Sequence, residues 1–321
     1  MPSEFALIRR HFTRPARHTD LAVGDDAALI RPSAGMQLAI STDMLVAGTH
    51  FFPDTAPEDL GWKTLAVNVS DLAAMGAQPR WVVLAASLPA ADEAWIEAFA
   101  GGFFACCEAF DIDAIGGDTT RGPLNLCPTI FGEVPTGAAI TRSGARPGDD
   151  LWVSGAPGRA ALGLAHLRGD THLADTYRDD CLAALHRPQP RVALGLGLRG
   201  IASAMLDVSD GLLGDLGHVL RRSGGLGARI EAAALPRSAA ILRQHEALQL
   251  ECLLAGGDDY ELLFSADPSD RDTVSALAAR AGCGVTRIGT LGAAGTPLEV
   301  VDADGRPLAT AWASFDHFLS R

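Results

Sequence analysis

Apolar residues at helical spacing over residues 4–12 predict a short amphipathic helix, followed by a turn that holds Gly24, Asp25 and Asp26. The mostly apolar run MQLAIST at 36–42 predicts a buried strand ending at Asp43. Pro57 to about Met75 reads as helix, Trp81 to Leu88 as a strand stopped at Pro89, and 91–110 as a long amphipathic helix. A strand near 112–116 runs into Gly116, Gly117 and Asp118, and another covers about 126–134. The polar, turn-rich stretch RSGARPGDD from Arg142 to Asp150 predicts a boundary between a first domain, 1–140, and a second, 141–321. Beyond it the pattern gives a strand at 151–154 and a helical region from about 158 to 198 broken by Pro188 and Pro190. LDVSDGLLGDLG at 206–217, a helix, a strand near 226–232, a helix after Pro236 and GGDDYELLF at 256–264 come next. A last helix, small strands and the tail WASFDHF at 312–318 complete the chain. Helices and strands mix without a strict βαβ rhythm, so the expected class is α+β in two domains.

The pattern also echoes itself. NVSDLAAMG at 68–76 resembles DVSDGLLGDLG at 207–217, and IGGD at 115–118 resembles AGGDD at 255–259. The spacing from Asp71 to Asp118 is 47 residues and from Asp210 to Asp258 it is 48, which raises the expectation that the two domains share a related core.

Charge narrows the function. The formal net charge of -13 argues against a nucleic-acid partner, whose phosphate backbone calls for a basic face. Any phosphate substrate would need positive charge from elsewhere, and bound divalent metal is the direct route. The six cysteines show no CxxC spacing and are expected to be reduced, small apolar residues in a cytoplasmic protein. No signal peptide is read at the N-terminus, and no apolar run approaches the ~20 residues that span a bilayer.

The acidic residues share one design: each lies at the edge of an apolar run or beside glycine. Asp26 closes GDD, Asp43 follows Ser41 and Thr42, Asp71 lies in NVSD, and Asp118 follows IGG. Asp207 and Asp210 flank Ser209, while Asp258 and Asp259 follow two glycines. Any one of these could be a helix N-cap or turn residue. As a set they are hard oxygen donors at the ends of rigid elements, the kind of ligand Mg²⁺ accepts. Adjacent glycines let phosphates approach the backbone. Other phosphate machinery is missing, because no GxxxxGK[ST] occurs. GLGLRG at Gly195–Gly200 matches GxGxxG but follows HRPQPR rather than a strand, so it is not read as a dinucleotide fingerprint. Arg142 is a candidate phosphate contact, or else a solvated linker charge. His50 lies in a loop with Phe51 and Phe52 and belongs to no metal-binding spacing.

Taken together, GDDAAL, AISTDMLVAGTHF, NVSDLAAMGAQP, IGGDTTRG, TRSGARPGD, DVSDGLLGDLGH, GGDDYEL and the FDHF tail resemble the thiamine-monophosphate kinase family along essentially the whole chain. The resemblance implies an α+β protein of two domains that dimerises through its N-terminal sheets. It implies phosphorylation of thiamine monophosphate to thiamine diphosphate by ATP, with several Mg²⁺ ions. Magnesium ligands would be Asp26, Ser41, Thr42, Asp43, Asp71, Asp118, Asp207 and Asp210. ATP would contact Gly117, Asp118, Arg142 and Ser209, and the thiamine phosphate His50, Asp258 and Phe315. Two positions depart from the family pattern: Asp258 stands where glutamate is usual, and Phe315 where tyrosine is frequent. Related families that use an N-terminal or a C-terminal cysteine fit less well, since no Cys lies in the first fifth and the chain ends Leu319, Ser320, Arg321. A cationic thiazolium ring suits an acidic, aromatic pocket. The attacking phosphate oxygen is already ionised at neutral pH, so direct in-line transfer without a general base is expected.

Overall fold

The computed structural model describes residues 7–309. The chain divides into two compact units: residues up to Leu72 with Ala77–Gly137, and Ala73–Gly76 with the residues from Ala138 onward. The architecture is α+β with a mixed sheet in each unit.

In the first unit a helical turn at Ile8–Phe12 precedes a small antiparallel pair, β1 (Thr19–Leu21) and β2 (Leu29–Ile30). Then come β3 (Met36–Thr42), β4 (Leu45–Val46), α1 (Pro57–Ala74), β5 (Gln78–Leu88), α2 (Glu93–Ala109), β6 (Asp113–Arg121) and β7 (Asn125–Pro135). The sheet order is β3-β7-β5-β6, with β4 also on β7, and only β5 and β6 run parallel. A parallel neighbour needs a crossover, and α2 supplies it. Asp92 caps α2 by accepting from the Ala94 and Trp95 amides at 3.1 and 3.2 Å. Ile96, Phe99, Ala100, Phe103 and Cys107 form its buried stripe at helical spacing. Gly61 and Gly102 let α1 and α2 touch through their backbones, since a Cβ on either would overlap a carbonyl of the other helix.

The chain before β1 is tied to the sheet by one buried carboxylate. Asp113 accepts from the Arg17 and His18 amides at 2.9 and 2.6 Å and from the Thr19 hydroxyl at 2.8 Å. Burial alone would raise its pKa, but these donors outweigh it and the net shift is downward.

The second unit holds β8 (Asp150–Ser154), α3 (Arg159–Arg168), α4 (Asp175–His186), α5 (Val192–Gly197), β9 (Ala202–Val208), α6 (Leu212–Arg222) and β10 (Leu226–Glu231). It continues with α7 (Glu246–Ala255), β11 (Glu261–Ala266), α8 (Arg271–Arg280), β12 (Val285–Ala294) and β13 (Leu298–Val301). The order is β13-β10-β12-β8-β11-β9, antiparallel except for β10 with β13. Strands β8 and β11 are buried at every position. GLGLRG lies in α5 and the turn after it, and Gly195 is there for packing, because a Cβ would overlap the Ala73 carbonyl.

Two expectations are corrected. The run at 36–42 is a strand, but not a buried one: β3 is the edge of its sheet and Ile40 is 59% exposed. The internal echo does not extend to structure. Asp71 lies inside α1, whereas Asp210 lies in the turn between β9 and α6. IGGD is within β6, whereas AGGD joins α7 to β11. The strands that follow Asp71 are parallel neighbours, β5 and β6, while β9 and β10 are separated by three strands. Similar short motifs here serve different backbone conformations.

Candidate active site

In the first unit the acids come from a turn, the end of β3, helix α1 and strand β6. Asp26 is exposed in the turn after Gly24, and its amide donates to Asp25 Oδ1 at 2.9 Å. Ser41, near the end of β3, donates from Oγ to Asp71 Oδ2 of α1 at 2.5 Å, so these two predicted residues meet. Thr42 donates to the Pro128 carbonyl at 2.9 Å and accepts from Thr129 Oγ1 at 3.1 Å, which fixes its oxygen at the β3–β7 seam. Asp43 follows directly and is half-buried. Asp118 is exposed on β6, opposite Ala85 of β5. Gly117 beside it is required by contact, since a Cβ there would overlap the Leu84 carbonyl.

These donors come from different elements of the sheet and its turns. Strands β3 and β6 are three strand spacings apart, roughly 14 Å. Among the described residues no group of three His, Cys, Asp or Glu side chains lies close enough to hold a metal. The donor chemistry nevertheless fits Mg²⁺, which takes one or two carboxylates, hydroxyls and waters and completes its shell with substrate phosphates.

His50 has a local task that its sequence setting does not reveal. Its Nδ1 accepts from the Val46 amide at 3.0 Å, folding the turn after β4 and placing the proton of the neutral ring on Nε2.

In the second unit the ladder between β9 and β11 brings two acid-bearing turns together. Leu262 pairs with Asp207, which is buried in β9. The ladder extends past the strands: the Tyr260 amide donates to the Val208 carbonyl and the Asp258 amide to the Ser209 carbonyl, both at 2.8 Å. Asp258 and Tyr260 adopt left-handed backbone angles, φ 65° and 50°, which cost energy outside glycine. The Tyr260 hydroxyl donates to Asp258 Oδ1 at 3.2 Å. Ser209, Asp210 and Asp258 are therefore neighbours.

Of the groups that hold this corner, only Asp259 was singled out from sequence. Asp259 turns its carboxylate inward, both oxygens accepting from the Gly158 amide at 2.8 Å, and burial pushes its pKa well up. Glu261 at the start of β11 accepts from Arg191 at 2.7 and 2.5 Å and from Ser154 Oγ at 2.5 Å. Arg191 belongs to HRPQPR, so that segment anchors the turn from outside. Asp215, in the first turn of α6, accepts from the Ser209 and Asp210 amides at 3.0 and 3.1 Å. Burial pushes its pKa up to about 6, against the pull of those two amides and of Arg142. Burial chiefly lowers the pKa of His218, and the charge of Arg142 also contributes. Phe315 lies outside the described residues.

Two mixed-sheet units with carboxylates at strand ends and turns define a class. Residues 24–134 match the family of AIR synthase related protein, N-terminal domain, and 146–300 match AIR synthase related protein, C-terminal domain. The chain is 46% identical to the thiamine-monophosphate kinase of Escherichia coli K12 over 322 aligned positions, covering 99% of this chain and 98% of that protein. It is 40% identical to that of Caulobacter vibrioides, covering 90% and 84%. The crystal structure of thiamine-monophosphate kinase from Stenotrophomonas maltophilia K279a superposes with a TM-score of 0.85 at 46% identity, covering 94% and 95%. AaThiL complexed with AMPPCP and TMP superposes at 0.78 with 28% identity, covering 92% of each chain. Within the AIR synthase related proteins, this chain belongs to the thiamine-monophosphate kinase family.

The raised Asp215 pKa predicts a pH signature. The folded protein holds this proton up to about pH 6, the unfolded chain only to 3.8, so folding is penalised progressively as pH rises through that window. Asp215→Asn lacks the penalty. Urea unfolding without nucleotide or divalent ions should show the variant gaining on the wild type from pH 4 to 7, by about 3 kcal/mol at most. A stability difference independent of pH would contradict this.

Proposed function

We infer that the chain transfers the γ-phosphoryl group of ATP to thiamine monophosphate, giving thiamine diphosphate and ADP. The observation that carries this is the end-to-end similarity to thiamine-monophosphate kinases, which spans both units. AaThiL, of the same fold, was solved with AMPPCP and TMP.

The terminal oxygen of thiamine monophosphate attacks the γ-phosphorus in line, the bond to the ADP oxygen breaks, and no enzyme group is phosphorylated. Asp26, Ser41, Thr42, Asp43, Asp71 and Asp118 of the first unit, and Asp207 and Asp210 of the second, are the proposed magnesium ligands. Magnesium at these oxygens supplies the positive charge that a chain of net charge -13 otherwise lacks. The wide spacing of Thr42 and Asp118 favours several ions, each lightly held by protein. Gly117, whose missing side chain keeps the β6 backbone open, contacts ATP together with Asp118, Arg142 and Ser209. Arg142 neutralises phosphate oxygens. His50, with Nε2 carrying the ring proton, and Asp258, steadied by Tyr260, receive the thiamine phosphate, with Phe315 stacking on a ring. The hydrogen bond from Tyr260 gives the short Asp258 side chain a fixed orientation in place of glutamate's reach.

The protein acts as a cytoplasmic homodimer in this reading. No helix among the described residues is long and apolar enough to cross a membrane. The edge strand β3 exposes Met36 and Ile40, and Met44 just beyond it is 54% exposed. An open edge with apolar side chains calls for a cover, and a second copy of the first unit supplies one.

With ATP, Mg²⁺ and thiamine monophosphate the purified protein should form ADP and thiamine diphosphate in equal amounts. Asp43→Asn should lower kcat/KM by about 100-fold or more. ADP release with aminoimidazole precursors, and none with thiamine monophosphate, would contradict the assignment. Sedimentation should show a dimer that Ile40→Asp converts to monomer, and a monomeric wild type at micromolar concentration would refute the interface.

A further inference from the structure

The turn that carries Asp26 gets little packing from its own hairpin. No residue from Thr19 to Ile30 is buried, and Leu21 and Leu29 are 37% and 58% exposed. A two-stranded hairpin is marginal by itself, so the place of its tip has to be set from its base. Both arms are gripped there by buried carboxylates of the sheet, Asp113 and Glu133. On the β1 side the His18 amide donates to Asp113 Oδ2 at 2.6 Å, while the His18 carbonyl accepts from Trp81 Nε1 at 3.0 Å. Asp113 and Trp81 are register partners in β6 and β5, so one rung of the sheet holds His18 by both its amide and its carbonyl. The Arg17 amide and the Thr19 hydroxyl add to the same carboxylate. On the β2 side Glu133 of β7 accepts from the Ser33 amide at 2.5 Å and the Ser33 hydroxyl at 3.3 Å. Arg80 joins the two grips, donating to Glu133 at 3.4 Å and to Asp111 at 3.2 Å, and Asp111 in turn bonds His18 Nε2 at 2.9 Å. A buried carboxylate without its donors is costly, so the grip is firm.

Resting on the reading of Asp26 as a magnesium ligand, we propose that Asp113 is a positioning residue for that ligand, with Glu133 as its counterpart on the other arm. Both act through the backbone of the hairpin. The clamp sets where the Asp26 carboxylate stands, and so the affinity of the first unit for magnesium–ATP. The turn that carries His50 is folded by its own bond to Val46, so the acceptor side is independent of the clamp.

The test compares Asp113→Ala, Thr19→Val and Asp26→Ala with the wild type, and combines the first with the last. Calorimetry gives the free Mg²⁺ concentration at half-maximal ATP binding, and hydrogen exchange reports the amides of residues 18–30. Asp113→Ala should raise that concentration about tenfold and speed exchange in the hairpin, with KM for thiamine monophosphate unchanged. Thr19→Val keeps the side-chain shape and removes one donor, so it should raise the concentration about threefold even if Asp113→Ala does not fold. Added to Asp26→Ala, Asp113→Ala should have no further effect on magnesium dependence, because the two act as one unit. A carboxylate that only stabilises the fold would lower the active fraction and leave half-saturation where it was. If Asp26→Ala raises the concentration and neither Asp113→Ala nor Thr19→Val does, the proposal fails and the ligand reading stands. An equal effect of Asp113→Ala with and without Asp26 also overturns the proposal. If Asp26→Ala itself changes nothing, the ligand reading fails and the proposal with it. If binding shifts as expected while the wild type leaves thiamine monophosphate unphosphorylated, the acceptor assignment fails and the clamp stands.

Discussion

The pairing of β9 with β11 is the contact on which the second unit's chemistry depends. An acidic turn follows β9 and another precedes β11, and two bonds continue the ladder so that the turns lock: Tyr260 to Val208, Asp258 to Ser209. Without that register, Ser209 and Asp210 would be separated from Asp258 by the 48 residues that separate Asp210 and Asp258 in sequence. The strained angles at Asp258 and Tyr260 persist because buried groups over-determine them. Asp259 is held on the Gly158 amide, and Glu261 on Arg191 and Ser154. Removing Arg191 would leave the buried Glu261 carboxylate uncompensated, a cost well above that of the strain.

The second constraint is electrostatic. The chain gathers carboxylates in order to bind a polyanion, which is self-defeating without cations. The first unit answers by distribution, with oxygens at strand ends spread over roughly three strand spacings. In the second, the Ser209 and Asp210 amides are both held by Asp215. In-line transfer to an already ionised acceptor then needs little more than alignment and charge neutralisation.

Much of this was legible in the sequence, because local signals carry it. Alternation and helical periodicity located most elements, and glycine beside aspartate marked the turns that hold Ser209, Asp210 and Asp258. What escaped was what depends on partners far along the chain. Arg191 and Glu261 are 70 residues apart, and only the sheet joins them. β3 reads as buried from its composition, but its position at an edge is a property of strand order. The likeness of NVSD to DVSD misled for the opposite reason, since one motif continues a helix and the other interrupts a strand. Asp215 was in view within LDVSDGLLGDLG, yet its backward reach to two amides emerges only once α6 is folded.

The central claim is a single direct displacement at the γ-phosphorus. It is tested most directly with ATP whose γ-phosphorus is made chiral by sulfur and oxygen isotopes, by reading the configuration of the new terminal phosphorus in thiamine diphosphate. One in-line transfer between the two substrates predicts inversion. Retention would mean two displacements through a phosphorylated enzyme group and would contradict the account.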